Sequence, residues 1–457
     1  MANMVSELWG IYDVAKGLRC YAPEMATLFF LKFTSQNADL LGVNIGKLNS
    51  FDALVELYLN DTITQAEFLH HCSDIVFKSE MEHFGIAEHF SQFVSTSADV
   101  RAVKRLLSMI RALDFSDTPQ ECMVADAFTA YLSNDTGWDG LSKSAISNAE
   151  LMACLAVKDD TKTIYDGVCG YGISLAAATR KAPKAMVYGQ DVIQNCVMIS
   201  AIMQWLNFRK DFCLTTGNSV KNPLPGRERI PEKFDSVIID PPFGFRFEDE
   251  DIAIFPEELL SYKDLTHRRG DWFFVQHALA VLNDGGVAVV QASMGTLFAT
   301  GKALEIRKTV VEKGHIKAVI ELPSGMVPGS TIPVSLMVLG NANSYSEVVL
   351  VNAAATNAEH FFTRQGKTKC ALTPEGIREI VNMVNEGLSV EGISKVVSIS
   401  DLAEKNYILT PSAYLSISEN TYSYSSIEEI TNEMTRLETE LAETNRALSE
   451  ALAAICE

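Results

Sequence analysis

Phe234-Asp235-Ser236-Val237-Ile238-Ile239-Asp240-Pro241-Pro242-Phe243-Gly244 holds an apolar, β-branched run that stops at an acid and two prolines. The run reads as a buried strand. Each proline removes a backbone donor and fixes φ, so the sheet cannot continue through the pair. Asp240 and Phe243 are therefore presented in a stiff turn at the carboxyl end of a strand, where open α/β sheets bind their ligands. A carboxylate and the carbonyl of Pro241 can both accept from one amino group, and Phe243 can stack on a flat ring.

Working outward, residues from about 140 to 340 alternate strand and helix, the pattern of a mainly parallel sheet. Strands are expected at 163–166, 185–190, 211–216, 236–240, 286–292, 316–321 and 334–339. The last two are separated by too little chain for a crossover helix, and an antiparallel pair at the end of the sheet is expected. Another β run follows at 347–351, then a helix from about 374 to 385. Residues 396–402 and 407–411 read as ordered but irregular chain. Upstream, apolar residues at helical spacing predict helices over 8–17, 24–33, 51–59, 65–77, 99–113 and 118–132. The stretch Leu28-Phe29-Phe30-Leu31-Lys32-Phe33 is too apolar for a surface helix.

Asp166-Gly167-Val168-Cys169-Gly170-Tyr171-Gly172 follows the first strand of the sheet and opens a helix. Its glycines allow a tight turn and close approach of backbone to a ligand. Asp191 ends the next strand, placed to accept from ribose hydroxyls; capping of the next helix is the alternative. Asn218 follows the third strand, near where an adenine ring would lie, and Asp240 the fourth. The loop lacks the lysine of a phosphate-binding loop, and Asp166 would repel a pyrophosphate. A cationic adenosine-type ligand fits, S-adenosylmethionine better than NAD or ATP. Cys169 reads as a packing residue, since no histidine lies near it in sequence.

Length and composition set further bounds. At 457 residues the chain can hold two or three domains. No apolar run reaches a membrane span. Met1 to Trp9 shows no signal-peptide pattern. Nine cysteines without a Cys-x-x-Cys pair argue for reduced thiols in a cytoplasm and against a zinc site. The net charge of −20 disfavours unaided nucleic-acid binding. Any phosphate contacts would come from a local patch, with Arg246, Arg268 and Arg269 as candidates, or from a partner.

Residues 416–426 read as a linker. The tail beyond carries a heptad, with Ile427, Met434, Leu441, Leu448 and Ile455 in one register and Ile430, Leu437, Thr444 and Ala451 in the other. Such a helix serves a partner's bundle, self-association or packing on its own core.

The order of glycine loop, strand-two acid and Asp-Pro-Pro-Phe resembles the DNA methyltransferases acting on adenine N6. More narrowly, the chain resembles the modification (methyltransferase) subunit of type I restriction-modification systems. Leu8-Trp9, Lys16-Gly17-Leu18-Arg19 and Phe29-Phe30-Leu31-Lys32 are similar to that family's N-terminal helical domain. Ile146-Ser147-Asn148-Ala149-Glu150 stands where the family has Tyr-Thr-Pro. Glu305-Ile306-Arg307-Lys308, Val319-Ile320-Glu321-Leu322-Pro323 and the segment from Tyr407 to Tyr414 resemble later landmarks.

The resemblance implies an α/β fold: a Rossmann-like class I S-adenosylmethionine-dependent methyltransferase sheet with an N-terminal helical domain and a C-terminal helical, coiled-coil-like tail. The implied divisions are 1–140 helical domain, 141–415 catalytic domain and 416–457 linker and association helix. It implies Asp240, Pro241, Pro242 and Phe243 as catalytic residues. Ser147, Asp166, Gly167, Cys169, Gly170, Gly172, Asp191, Asn218 and Asp240 would bind the cofactor, with no metal. It implies double-stranded DNA as substrate, a DNA-specificity subunit as partner and a nuclease–translocase subunit in the larger complex. Four departures stand out: Asp240 for the family's usual Asn, Gly167 for Pro, Tyr171 for a small hydroxyl residue, and Ser147-Asn148 for Thr-Pro. Asp191 also replaces the commoner Glu. The rival readings are an RNA or protein-amide methyltransferase and a non-catalytic assembly subunit retaining the fold.

Overall fold

The computed structural model describes residues 2–18, 20–46, 49–134, 146–219, 221, 233–242, 244–248, 262, 270–327, 329–366, 368–415 and seven positions between 431 and 444. Two compact units result, Met1–Leu415 and Ser416–Glu457.

The first unit opens with helices α1 (Ala2–Gly17), α2 (Ala22–Gln36), α3 (Ala38–Leu41), α4 (Phe51–Leu59), α5 (Gln65–Lys78), α6 (Ile86–Thr96), α7 (Val100–Ala112) and α8 (Met123–Asn134). Local chemistry sets their ends. Thr64 and Glu67 form a reciprocal capping box at α5, and Asp99 accepts from the Ala102 N–H at α7. Leu28 through Phe33 on α2 are all fully buried, Lys32 included. The Lys32 ammonium is therefore no part of a solvated face: it lies 2.7 Å from Asp52 Oδ1 and donates to the Arg111 carbonyl. Helix α6 was not expected, although Ile86, Phe90, Phe93 and Val94 give it a buried stripe at helical spacing. Pro119 precedes α8 in a turn instead of standing inside the helix.

The sheet follows. In chain order its strands are β1 (Thr163–Asp166), β2 (Met186–Asp191), β3 (Phe212–Thr216), β4 (Phe234–Ile239), β5 (Leu282–Ser293), β6 (Ile316–Glu321), β7 (Val334–Leu339), β8 (Glu347–Asn352) and β11 (Ser394–Ser398), with a separate small ribbon of β9 (Phe362–Arg364) and β10 (Cys370–Leu372). In space they run β3-β2-β1-β4-β5-β7-β6-β8-β11. From β3 to β5 neighbours are parallel; β7 is antiparallel to both β5 and β6. The β6–β7 pair is antiparallel as expected, but it does not end the sheet. β8 adds in parallel to β6, and β11 antiparallel to β8. Residues 396–402, read from sequence as irregular, are instead regular: Ser394–Ser398 form an edge strand, and Ile399–Glu404 continue as a helix capped by Ser398.

Helices α9 (Ile146–Ala156), α10 (Ile173–Lys181) and α11 (Gln194–Leu206) pack on the sheet. Val237, Ile238 and Ile239 of β4 are buried to within 1%, each stabilising the fold by about 1.5–3 kcal/mol. One hydrophobic core runs from the N-terminal helices through α11 to the sheet. Phe30 meets Trp205 with ring centroids 5.8 Å apart, and the Trp205 indole donates to Thr34 Oγ1 at 2.9 Å.

In the second unit, Thr431, Met434, Arg436, Leu437, Thr439, Leu441 and Thr444 are helical. Met434, Leu437 and Leu441 are exposed, one apolar stripe at i, i+3 and i+7. The heptad positions Ile427, Ile430, Leu448, Ala451 and Ile455 lie outside the described residues. Among the described residues no helix is long and apolar enough to cross a membrane.

Candidate functional site

A cavity of about 300 Å³ opens at the carboxyl ends of β1, β2 and β4. Parallel strands bring these ends together because every crossover carries the chain back to the amino end of the sheet before the next strand begins. Of the expected cofactor residues, Asp166, Gly167, Cys169, Gly170, Asp191, Asn218 and Asp240 line it, and so do Pro241 and Pro242. Ser147 does not: its hydroxyl is buried and accepts from the Leu372 N–H at 2.9 Å, tying α9 to β10. Gly172 does not line it either. It caps α10 with φ +76°, and a Cβ there would lie 3.0 Å from Ser200 Cα. Phe243, Arg268 and Arg269 lie outside the described residues, and Arg246 is exposed.

The loop after β1 is held by hydrogen bonds from both sides. Asp166 Oδ1 accepts from the Val168 N–H at 3.0 Å. The Cys169 N–H donates to the Gln190 carbonyl at 2.9 Å. Asp191 reaches back across the strand ends: its Oδ2 accepts from Gly170 N–H at 3.0 Å and its Oδ1 from Ile193 N–H at 2.9 Å. Asp191 therefore organises the loop and the start of α11 while still facing the cavity. Asn218 accepts from the Lys221 N–H at 3.1 Å. Burial holds the Cys169 thiol well above the ordinary range, which suits packing and not nucleophilic attack.

Gly167, where the related family has proline, has a local reason. A Cβ there would sit 2.7 Å from the Tyr165 hydroxyl. That hydroxyl cannot easily retreat, because Tyr165 stacks on Phe234 at 4.6 Å and pairs with His277 Nε2 at 3.1 Å.

Ser219, Val192, Ile193, Phe245, Phe247 and Phe274 also line the cavity, and the sequence reading missed them. Phe245 and Phe247 pack edge-on at 4.8 Å. The signal was available for the two phenylalanines, which follow the Pro-Pro turn at alternate positions. Phe274 comes from the helix Gly270–Ala280, which nothing in sequence places near β4.

The electrostatics are one-sided. Asp166, Asp191 and Asp240 converge, and no lysine or arginine is among the described lining residues. Burial, with Asp240 and Asp191 adding like charge, holds the Asp166 carboxyl well above the usual carboxylate range. Burial also raises Asp191, against the hydrogen bonds from Ile193 and Gly170. Such a site disfavours phosphates and is relieved by a cation. A ligand with an ammonium, a sulfonium and a ribose fits this donor set, and S-adenosylmethionine has all three.

The N-6 DNA methylase family profile matches residues 145–422. The chain is 27% identical over 337 residues to the type I restriction enzyme MjaVIII methylase subunit of Methanocaldococcus jannaschii, covering 69% of this chain and 56% of that protein. It is 25% identical over 339 residues to the MpnII methylase subunit of Mycoplasma pneumoniae, covering 68% and 61%. The chain thus spans somewhat over half the length of the curated relatives it matches. Among solved structures, the type I restriction-modification methyltransferase subunit of Streptococcus thermophilus superposes with a TM-score of 0.76 at 20% identity, over 91% of this chain and 99% of that one. A modification subunit of a putative type I restriction enzyme from Vibrio vulnificus gives 0.61 at 14%, over 88% and 93%. These likenesses fix the fold as the Rossmann-like sheet of class I S-adenosylmethionine-dependent methyltransferases, flanked by helical regions. With a family match over more than half its length, the chain belongs to the N-6 DNA methylase family.

Proposed function

We propose that the protein is the modification subunit of a type I restriction-modification system, a DNA methyltransferase transferring methyl from S-adenosylmethionine to adenine N6. The observation that carries this reading is the meeting of three carboxylates with a Pro-Pro turn and an aromatic wall in one cavity free of described cations. The names of the type I methylase relatives support the same class.

When bound, the cofactor supplies an electrophilic methyl group on a cationic sulfur. Asp166 and Asp191 would hold it through charge and hydrogen bonds, and Val192 and Ile193 would offer apolar surface to its flat base. The exocyclic amine of adenine is a poor nucleophile, because its lone pair is delocalised into the ring. Asp240 and the Pro241 carbonyl accept its two hydrogens, which favours a pyramidal nitrogen with its lone pair directed away from them. This is catalysis by positioning and electrostatics. The target base must leave the duplex, and Phe243, which lies outside the described residues, would stack on it.

Sequence recognition falls to a partner specificity subunit. A chain of net charge −20, with no lysine or arginine among the described residues lining its cavity, leaves most phosphate contacts to that subunit. The exposed Met434, Leu437 and Leu441 stripe fits a helical partner, and a nuclease–translocase subunit would complete the larger complex.

The test is tritiated methyl transfer to unmethylated genomic DNA, with and without a co-expressed specificity subunit. Label on adenine N6 only with the partner supports the reading. Label on RNA or protein, or none with any partner, overturns it.

A further inference from the structure

Two of the positions at which the chain departs from its family's pattern, Asn148 on α9 and Asp240 after β4, are joined through a third residue. Gln291 lies on β5, next to Val290, which pairs with Ile239 of β4. Its Nε2 donates to Asp240 Oδ1, and its Oε1 accepts from Asn148 Nδ2 at 2.5 Å. Asn148 and Gln291 are 1% and 2% exposed, and neither lines the cavity. The direction of the relay follows from chemistry. An ionised carboxylate only accepts, so Gln291 must turn its amino group to Asp240. Its carbonyl then faces Asn148, which must answer with its own amino group.

We propose that Gln291, oriented by Asn148, is the positioning residue of Asp240 and is matched to an acid at that position. This rests on the reading of Asp240 as acceptor for the substrate amine. A carboxylate offers about four acceptor sites on two oxygens. Gln291 draws on Oδ1, and the second oxygen keeps acceptor capacity for the amine. An amide of the same shape has one oxygen and one amino group. Facing its oxygen to Gln291 would aim its amino group at the substrate's own N–H bonds. Facing it the other way would set two amino groups against each other in a buried site, where mispaired donors are costly, unless Gln291 and Asn148 turned over together and reversed the whole relay.

The test is a double-mutant cycle of Asp240→Asn, Gln291→Glu and the two together, read as kcat and KM for methyl transfer across pH. Asp240→Asn alone lowers kcat by about 100-fold with the cofactor KM little changed. Gln291→Glu alone is impaired at neutral pH because two carboxylates face each other. Its activity rises as pH falls relative to wild type, because a proton shared by the pair lets the introduced acid donate where Gln291 donated. In the double variant the introduced glutamate accepts both from Asn148 and from the introduced asparagine, whose carbonyl then faces the cavity. Its kcat recovers to within about tenfold of wild type. Losses that multiply in the double variant overturn the proposal, as does a pH profile of Gln291→Glu parallel to wild type. A wild-type protein that methylates no DNA, RNA or protein overturns the functional reading instead. Urea unfolding of the same four proteins then decides the contact: a double variant more stable than the summed losses predict supports it, and additive losses overturn it.

Discussion

Asp191, the last residue of β2, holds Gly170 in the loop after β1 through a 3.0 Å hydrogen bond from the Gly170 N–H to Oδ2. The acid thus serves the fold and the cavity together. Asp191→Ala leaves the N–H groups of Gly170 and Ile193 without it, and a loss of about 1–3 kcal/mol in stability is expected. S-adenosylmethionine binding should weaken at least tenfold by calorimetry. Asp191→Asn keeps one accepting oxygen and should fall between the two proteins in both measurements.

Asp166 should trade stability for affinity. Its folded carboxyl is raised well above the ordinary value by burial. Between the unfolded and folded values the native state binds more protons, so stability falls as pH rises through that window. Asp166→Asn keeps an acceptor for the Val168 N–H and removes the charge. At neutral pH the variant's Tm should rise by about 2–4 °C, and this advantage should shrink as the pH drops toward ~4. Its affinity for the cationic cofactor should fall, while that for its neutral demethylated product falls less.

Gly172 is required by space and by backbone. Gly172→Ala places a Cβ against Ser200 at a φ of +76°. The left-handed conformation costs about 1–2 kcal/mol for an L-residue, and overpacking adds about 1–3 kcal/mol. Urea unfolding should show both. A second change, Ser200→Ala, should recover only part of the loss, because the Ser200 Cα itself stands 3.0 Å from the new methyl.

Lys32 is a buried cation whose partners are all within the helical region. Lys32→Ala should cost about 3 kcal/mol, the low end for breaking a buried pair, because Asp52 keeps 32% exposure. Lys32→Met should cost less by retaining the packing. Burial lowers the Lys32 value in the folded state. The unfolded chain therefore binds more protons in the alkaline window below ~10.4, and wild type should gain on Lys32→Met as pH climbs through it.

Asp240→Ala should abolish methyl transfer and leave cofactor binding largely intact by calorimetry. Phe243→Ala should cut transfer severely, in line with ~1–3 kcal/mol of base stacking. Wild-type rates in either variant would remove that residue from the proposed chemistry.

The parallel half of the sheet was legible because its strands are short apolar runs ending in acids or glycines. Val237-Ile238-Ile239 before Asp240 has few other readings. β11 was not legible: Ser394–Ser398 is an edge strand, half polar, whose pairing with β8 across some 40 residues of chain leaves no local mark. The three acids of the cavity could be placed because each ends a strand. Gln291 could not, because it sits inside a strand and not at its tip, and its partners lie 143 and 51 residues away. Ser147 was expected at the cofactor and instead anchors β10, a contact set by a ribbon 225 residues downstream.

The insertion of β7 between β5 and β6 has a consequence for synthesis on the ribosome. Everything from β3 to β5 can pair as soon as β5 emerges, but the next partner, starting at Val334, lies about 40 residues beyond the end of β5 at Ser293. At ~5–20 residues per second the nascent chain carries an open strand edge for about 2–8 s. A ribosome stalled in that interval holds a half-sheet whose β5 edge matches that of every other stalled copy, a template for coaggregation. The same interval is when a chaperone bound near the exit tunnel has most to protect.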